Sequence, residues 1–277
     1  MNTIQLPSGL RVPALGQGSW QLGLHRAKRR AEIAALRRGL DLGMTLIDTA
    51  EMYGEGKTEK VIGEAIDGRR QEVFLVSKVL PHHATRQGTV EACRHSLKRL
   101  RTKYLDLYLL HWRERVPLRE TLAGFHDLQR DGAIRAYGVS NFNVQDLQEL
   151  WALPGGRDIQ TNQVLYNLQH RGIEWDALPW CRQQSLPIMA YSPLNQGSLV
   201  DHAKLRPIAR RHNATSGQIA LAWVLRQPKV FTIAKAGTVV HVRQNQAALD
   251  LQLTDEDLRE IDAIFPAPRK KIPLETT

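Results

Sequence analysis

The chain is poor in cysteine, with two among 277 residues, Cys93 and Cys181. They form no Cys-x-x-Cys pair and have no His-x-x-x-His beside them, so neither a disulfide scaffold nor a thiolate zinc site is expected. Reduced thiols in a cytoplasmic protein fit this usage. No run of 18 apolar residues occurs, which excludes a membrane-spanning helix. The segment from Met1 to Leu15 lacks a basic stretch followed by an apolar core, so no secretory signal is expected. Several catalytic signatures are also missing. Gly16-Gln17-Gly18 is not followed by a third glycine at dinucleotide spacing, and no early βαβ unit surrounds it. Gly56-Lys57-Thr58 lacks the leading glycine of a phosphate loop, since position 51 is Glu51. His82-His83 does not make a metal ligand set, so no metal is expected. No Gly-x-Ser-x-Gly elbow serves an acyl-transfer triad.

The composition that is present is ordinary for a globular protein, with 42% hydrophobic and 24% charged residues. A chain this long buries about three quarters of its unfolded surface and needs no staple. Lys plus Arg number 38 and Asp plus Glu 28, a net charge of +10. The basic residues are scattered in small clusters, such as Arg26 to Arg30 and Arg269 to Lys271, with no aromatic-rich RNA motif. Nucleic acid is therefore not expected as a partner. The clusters read as solvated helix faces. The sharper alternative is a field that draws anionic ligands such as phosphorylated cofactors.

Short apolar runs alternate with longer amphipathic ones. Ile4 to Val12 reads as a hairpin turning at Ser8-Gly9. Strands are then expected at 45–50, 73–78, 105–110, 134–139, 161–166, 187–191 and 230–233. Between and after them the spacing predicts helices at 27–42, 58–67, 85–101, 118–130, 144–151, 174–184, 202–212, 216–226, 239–248 and 255–264. Continuous apolar strands alternating with amphipathic helices call for a parallel sheet covered by helices. Roughly eight such units in about 250 residues favour a closed (β/α)8 TIM barrel, an α/β fold, over an open doubly wound sheet.

Barrel enzymes carry their chemistry where strands end. Here the second strand ends in Asp48, with Tyr53 in the loop beyond, the third in Lys78 and the fourth in His111. Ser140-Asn141, Asn162-Gln163 and Tyr191-Ser192 mark the next three. Each alone reads as a helix cap, a surface group or packing. Together an acid, a base and a phenol at neighbouring strand ends point to proton transfer. Asp48 and Lys78 are the natural buried pair. A nearby ammonium is expected to lower the phenol's value below the usual ~10. His111 is placed to hold a substrate oxygen. Such equipment suits protonation of an alkoxide.

These residues carry a resemblance to the aldo-keto reductases, extending over about residues 3 to 268. It rests on Gly16-Gln17-Gly18-Ser19-Trp20, Ile47 to Gly54, Leu75 to Lys78, Tyr104 to Trp112, Gly138 to Phe142, Asn162 to Leu168, and Tyr191 to Leu194, all in order. Leu178-Pro179-Trp180-Cys181 and Pro266-Ala267-Pro268 resemble the bacterial methylglyoxal-reductase-type members. The resemblance implies one barrel domain over 1–277, and reduction of small aldehydes and 2-oxoaldehydes by hydride from NADPH, with NADH as the alternative cofactor. It implies a catalytic set of Asp48, Tyr53, Lys78 and His111, with Tyr53 as proton donor. Ser140, Asn141 and Gln163 would hold the nicotinamide carboxamide, and Tyr191 would stack on its ring. Ser192 and Leu194 would lie near the pyrophosphate, and Gly18, Ser19 and Trp20 would close over the cofactor, which Asp48 also touches.

Lys235 and Asn245 match the family's loop for the adenosine 2′-phosphate, but Ala236 replaces its usual hydroxyl residue and His241 its usual arginine. Trp20, Tyr53, His111 and Trp112 would surround the substrate. Arg113 and Arg115 read as solvated loop residues rather than contacts to an anionic substrate. A small-molecule carbonyl is the expected partner of a monomer or weak homo-oligomer, with no membrane. The rival function is a nicotinamide-binding redox sensor or regulatory subunit with little turnover.

Overall fold

The computed structural model describes residues 2–276. A two-stranded hairpin, β1 (Thr3–Gln5) and β2 (Arg11–Pro13), turns at Gly9, whose φ of 86° favours glycine. Eight parallel strands then close a barrel: β3 (Leu15–Gly18), β4 (Leu46–Asp48), β5 (Phe74–Val79), β6 (Leu105–Leu110), β7 (Ile134–Ser140), β8 (Asn162–Leu165), β9 (Ile188–Tyr191) and β10 (Val230–Lys235). They follow one another around the wall in chain order, and β10 pairs back onto β3. The (β/α)8 barrel with an N-terminal hairpin expected from the sequence is the fold observed.

The helices outside are α1 (Arg29–Asp41), α2 (Lys57–Ala65), α3 (Arg86–Leu100), α4 (Leu118–Arg130) and α5 (Val144–Trp151). They continue with α6 (Ala177–Gln183), α7 (Arg206–Arg211), α8 (Ser216–Leu225), α9 (Val239–Ala247) and α10 (Asp255–Ile264). Their ends carry the expected signals. Thr85 caps α3 by accepting from the Gly88 amide, and Asn143 with Asp146 forms a reciprocal capping box on α5. Gly132, at φ 71°, follows α4 as a left-handed stop. None of these helices is long and apolar enough to cross a membrane.

Strand alternation divides the apolar residues between two cores. On β6, Leu107 and Leu109 pack inside the barrel, while Tyr108 and Leu110 face the helices. Leu6 and Val12 of the hairpin join the interior cluster, and the Ser8 amide donates to Gln160 just before β8. The hairpin thus plugs the N-terminal end of the barrel. Asp106 also serves that end: its carboxylate accepts from Arg70, Arg135 and the Leu75 amide. Part of the Tyr104 to Trp112 motif is therefore structural.

Three expectations need correction. The first barrel strand, β3, escaped a boundary because it is four residues long with two glycines; a side chain at Gly16 would collide with Leu46. The stretch 174–184 is helical only over α6, after a 3-10 turn at Gly172–Glu174; Pro179 sits in the first helical turn, where no amide is needed. The stretch 202–212 is a 3-10 turn at Ala203–Leu205 followed by the short α7. Cys93 and Cys181 are unbonded and buried, and burial pushes both thiols up to about 12.

Helices α2 and α3 touch through Gly63, where a Cβ would lie 2.9 Å from the carbonyl oxygens of both Arg99 and Leu100. Backbone cannot yield as a side chain can. Gly63→Ala should therefore cost about 1–3 kcal/mol and lower the melting temperature by about 2–4 °C for each kcal/mol. Calorimetry checks this, and an unchanged melting temperature would mean the two helices part freely.

Candidate active site

A cavity of about 970 Å³ opens at the C-terminal ends of the strands. Strand register assembles it: Gly18 on β3 is level with Lys235 on β10 and with Asp48 on β4, so three chain segments end together. Gly18, Ser19, Trp20, Asp48 and Tyr53 line one side, and His111, Trp112, Ser140, Asn141 and Gln163 another. Tyr191, Ser192, Leu194 and Lys235 complete it. Every site residue picked from the sequence lines the cavity except Lys78 and Asn245. Lys78 lies beneath it, fully buried. Asn245 is buried on α9, and its Nδ2 has no hydrogen-bond partner among the described residues.

The floor is built around Lys78. Its Nζ donates to Asp48 Oδ2 at 2.7 Å, the Thr49 carbonyl at 2.8 Å and Tyr53 Oη at 3.2 Å. All three ammonium donors are thereby used. The second Asp48 oxygen accepts from Gln163 Nε2 at 2.7 Å. Burial alone would lower the lysine's pKa, but Asp48 and Tyr53 together outweigh it and hold the ammonium above its ordinary value. Tyr53 reaches this cluster from a turn in which Gly54, Glu55 and Gly56 are all left-handed, with φ of 57°, 54° and 80°. That turn feeds directly into α2.

The phenol departs from expectation. Burial pushes Tyr53 above its usual value, the Asp48 charge adds to this, and Lys78 opposes them without prevailing. Tyr53 is thus fully protonated at neutral pH. His111 is 7% exposed, and burial reinforced by the Lys78 charge depresses its pKa to about 2. Its imidazole is neutral, edge-on to Tyr53 with ring centroids 5.9 Å apart, and its Nδ1 lacks a partner among the described residues. A protonated phenol and a neutral imidazole can both donate hydrogen bonds to one oxygen.

The remaining polar residues tie the strand ends together. Asn141 Nδ2 donates to the His111 carbonyl, Asn141 Oδ1 accepts from Tyr191 Oη, and Ser140 Oγ donates to the Gln163 carbonyl. Ser19 Oγ donates to the Asp48 carbonyl. Asn141 and Ser192 are left-handed at φ 58° and 50°, a strain that clusters at ligand sites. Trp20, 43% exposed, stands at the mouth with Met52. Lys235 is exposed at the end of β10, Ala236 is buried behind it and His241 is exposed in the first turn of α9.

Some participants left no legible signal. The Thr49 carbonyl is backbone. Glu51, which accepts from the Leu80 amide and contacts His83, supports the β4 loop from outside. Arg113 lines the cavity but is not simply solvated: its guanidinium pairs with Asp146 at 2.9 Å and Glu149 at 2.6 Å. Arg115 is exposed and lies outside the lining.

Comparison with known proteins places this arrangement. The sequence model described as "Aldo/keto reductase family" matches residues 14–265. "Methylglyoxal reductase YeaE" of Escherichia coli (strain K12) is 50% identical over 277 residues, covering 98% of each chain. "Glyoxal reductase" of Bacillus subtilis (strain 168) is 33% identical, covering 95% of this chain and 92% of its own. The crystal structure of an aldo-keto reductase from Klebsiella pneumoniae in complex with NADPH superposes with a TM-score of 0.97 at 48% identity, over 100% of this chain and 99% of that one.

The depressed histidine makes stability depend on pH. An unfolded imidazole takes up a proton below about pH 6.5, whereas buried His111 resists protonation down to about pH 2. The native state therefore loses stability as pH falls from 6.5 toward 2, by about 1.4 kcal/mol per unit. His111→Gln should remove that slope from denaturant titrations between pH 7.5 and 4.5. Equal slopes in the two proteins would mean that the imidazole titrates alike folded and unfolded.

Proposed function

The chain belongs to the aldo/keto reductase family, and on that premise we propose that it is an NADPH-dependent reductase of small aldehydes and 2-oxoaldehydes, methylglyoxal among them. The reading rests on one observation: a buried Asp48–Lys78 pair whose ammonium ends on the phenol of Tyr53, beside neutral His111, at the floor of one large cavity.

When bound, a nicotinamide dinucleotide would supply the hydride for the carbonyl carbon. His111 and Tyr53 take the carbonyl oxygen between them and orient it. Tyr53 Oη gives its proton to that oxygen as negative charge develops there. Lys78, charged and desolvated, stabilises the phenolate left behind, and Asp48 keeps Lys78 charged and in place. Raised above its usual value, the phenol is loaded with a proton across the neutral range. Trp20 and Trp112 form apolar walls that restrict water at the reacting carbonyl.

The residues present fit a nicotinamide dinucleotide. The cavity is at the upper end of the usual ligand-site range. Buried Asn245 Nδ2 still lacks a partner on the element that follows Lys235, and exposed Lys235 suits a phosphate. Ser140, Asn141 and Gln163 would hold the carboxamide, and Tyr191 would stack on the nicotinamide. Ser192 and Leu194 would flank the pyrophosphate. Gly18, Ser19 and Trp20 would cover it, and Lys235 with Asn245 would hold the adenosine end.

Tyr53→Phe removes only the transferable proton and one hydrogen bond. Turnover of methylglyoxal with NADPH should fall about 10²–10⁴-fold, while the cofactor dissociation constant, read from tryptophan fluorescence, changes less than about threefold. Wild-type turnover in this variant would sink the assignment of the acid. A wild-type protein that binds NADPH tightly yet reduces none of a broad carbonyl panel would favour a sensor instead. The altered phosphate loop has its own test. His241→Arg adds a permanently charged donor, with a charged hydrogen bond contributing about 1.5–3 kcal/mol. The NADPH to NADH ratio of kcat/KM should rise at least roughly tenfold. An unchanged ratio would mean His241 lies away from the phosphate.

A further inference from the structure

We propose that the substrate end of the cavity is a region of negative charge that selects neutral or cationic carbonyl compounds over those bearing a carboxylate or phosphate. This rests on the reductase reading above and narrows its substrate class.

The loop after His111 supplies one cation to the lining, Arg113. A guanidinium beside a carbonyl site would ordinarily recruit an anionic substrate through its planar fork. Here both prongs are occupied, Nη1 by Asp146 at 2.9 Å and Nη2 by Glu149 at 2.6 Å. Asp146 is itself fixed, because its other oxygen accepts from the Asn143 amide in the capping box of α5. Glu114 also lines the cavity and accepts from Trp112 Nε1 at 2.9 Å. This side of the cavity therefore holds one cation, Arg113, paired with two carboxylates, and a third carboxylate, Glu114, in the lining. An incoming carboxylate has to share a guanidinium that is already doubly paired, next to Asp146 and Glu114. The opposite sign stands across the cavity, where Lys235 is exposed at the end of β10. One cavity thus presents a positive end suited to a phosphorylated dinucleotide and a negative end for the carbonyl compound.

These groups are only partly buried, so the discrimination is modest and screened by salt. The test uses pairs of aldehydes matched in shape, with the charge several bonds from the carbonyl. One pair is 4-oxobutanoate and methyl 4-oxobutanoate, and the other 4-(trimethylammonio)butanal and 5,5-dimethylhexanal. With NADPH saturating at about 20 mM ionic strength, kcat/KM for the anion should lie about fivefold or more below its ester. Raising the salt to about 0.5 M should lift the anion and lower the cation, each relative to its neutral partner.

The net charge of +10 predicts the reverse salt effect, so the sign separates the local field from the global one. In Glu114→Gln/Glu149→Gln, the anion-to-ester ratio should approach unity; taking the ratio cancels any general loss of activity. An anion reduced as well as its ester at low salt, or one slowed by added salt, overturns the inference and leaves the reductase reading intact. No turnover of either neutral aldehyde counts against the reductase reading itself.

Discussion

A fully buried ammonium tolerates few surroundings, and Lys78 dictates most of this site. Removed from water, its charge has to be met by an opposite charge and its three protons by three acceptors. The acceptors come from a strand end, a backbone carbonyl one residue later and a phenol on the following turn. That demand fixes β5 against β4 and draws Tyr53 to the cavity floor. The left-handed run Gly54-Glu55-Gly56 is the backbone's accommodation to that placement. Gln163 extends the constraint around the barrel by holding the other oxygen of Asp48. A site built this way is preorganised, because the groups that would serve the transition state already satisfy one another.

The same burial sets the protonation states. Desolvation drives the phenol up and the imidazole down, so both stand neutral, the states that the proposed reduction would use. A charged histidine beside Lys78 would add repulsion to a site already holding one cation, and Lys78 itself contributes to preventing it. The lysine's effect on Tyr53 is better seen in the phenolate than in the resting phenol. The ammonium does not bring the phenol below its usual value. It limits how far burial raises it, and under the proposed mechanism it would meet the negative charge left on the phenolate.

Much of this was legible in the sequence because burial writes itself as apolar runs. Asp48, Lys78 and His111 each close such a run, so their location at the barrel mouth followed from the fold class alone. The short β3 gave no run to read, since the close approach of Leu46 demands glycine at position 16. The direction of the Tyr53 shift was misjudged because proximity to an ammonium can be guessed from strand order, whereas the competing desolvation depends on three-dimensional enclosure. The pairing of Arg113 was hidden for a similar reason. Asp146 and Glu149 lie on a helix more than thirty residues away, and only the return of α5 against the barrel mouth brings them to it. The positions of Asn245 and Lys78 outside the cavity wall belong to the same class of fact, set by packing depth rather than by order along the chain.

Arg113 also shows why net charge is a poor guide to what a bound molecule meets. At physiological ionic strength charges are screened over about 8 Å. Of the basic side chains behind the value of +10, only Arg113 and Lys235 line the cavity among the described residues. What such a molecule meets is the local census: a guanidinium neutralised by Asp146 and Glu149, with Glu114 beside it, and Lys235 across the cavity. The scattered positive charge would still assist encounter with the phosphorylated cofactor proposed above. On the proposed reading, selection among carbonyl compounds would fall to the few charges that line the cavity near His111, and those differ in sign from the protein as a whole.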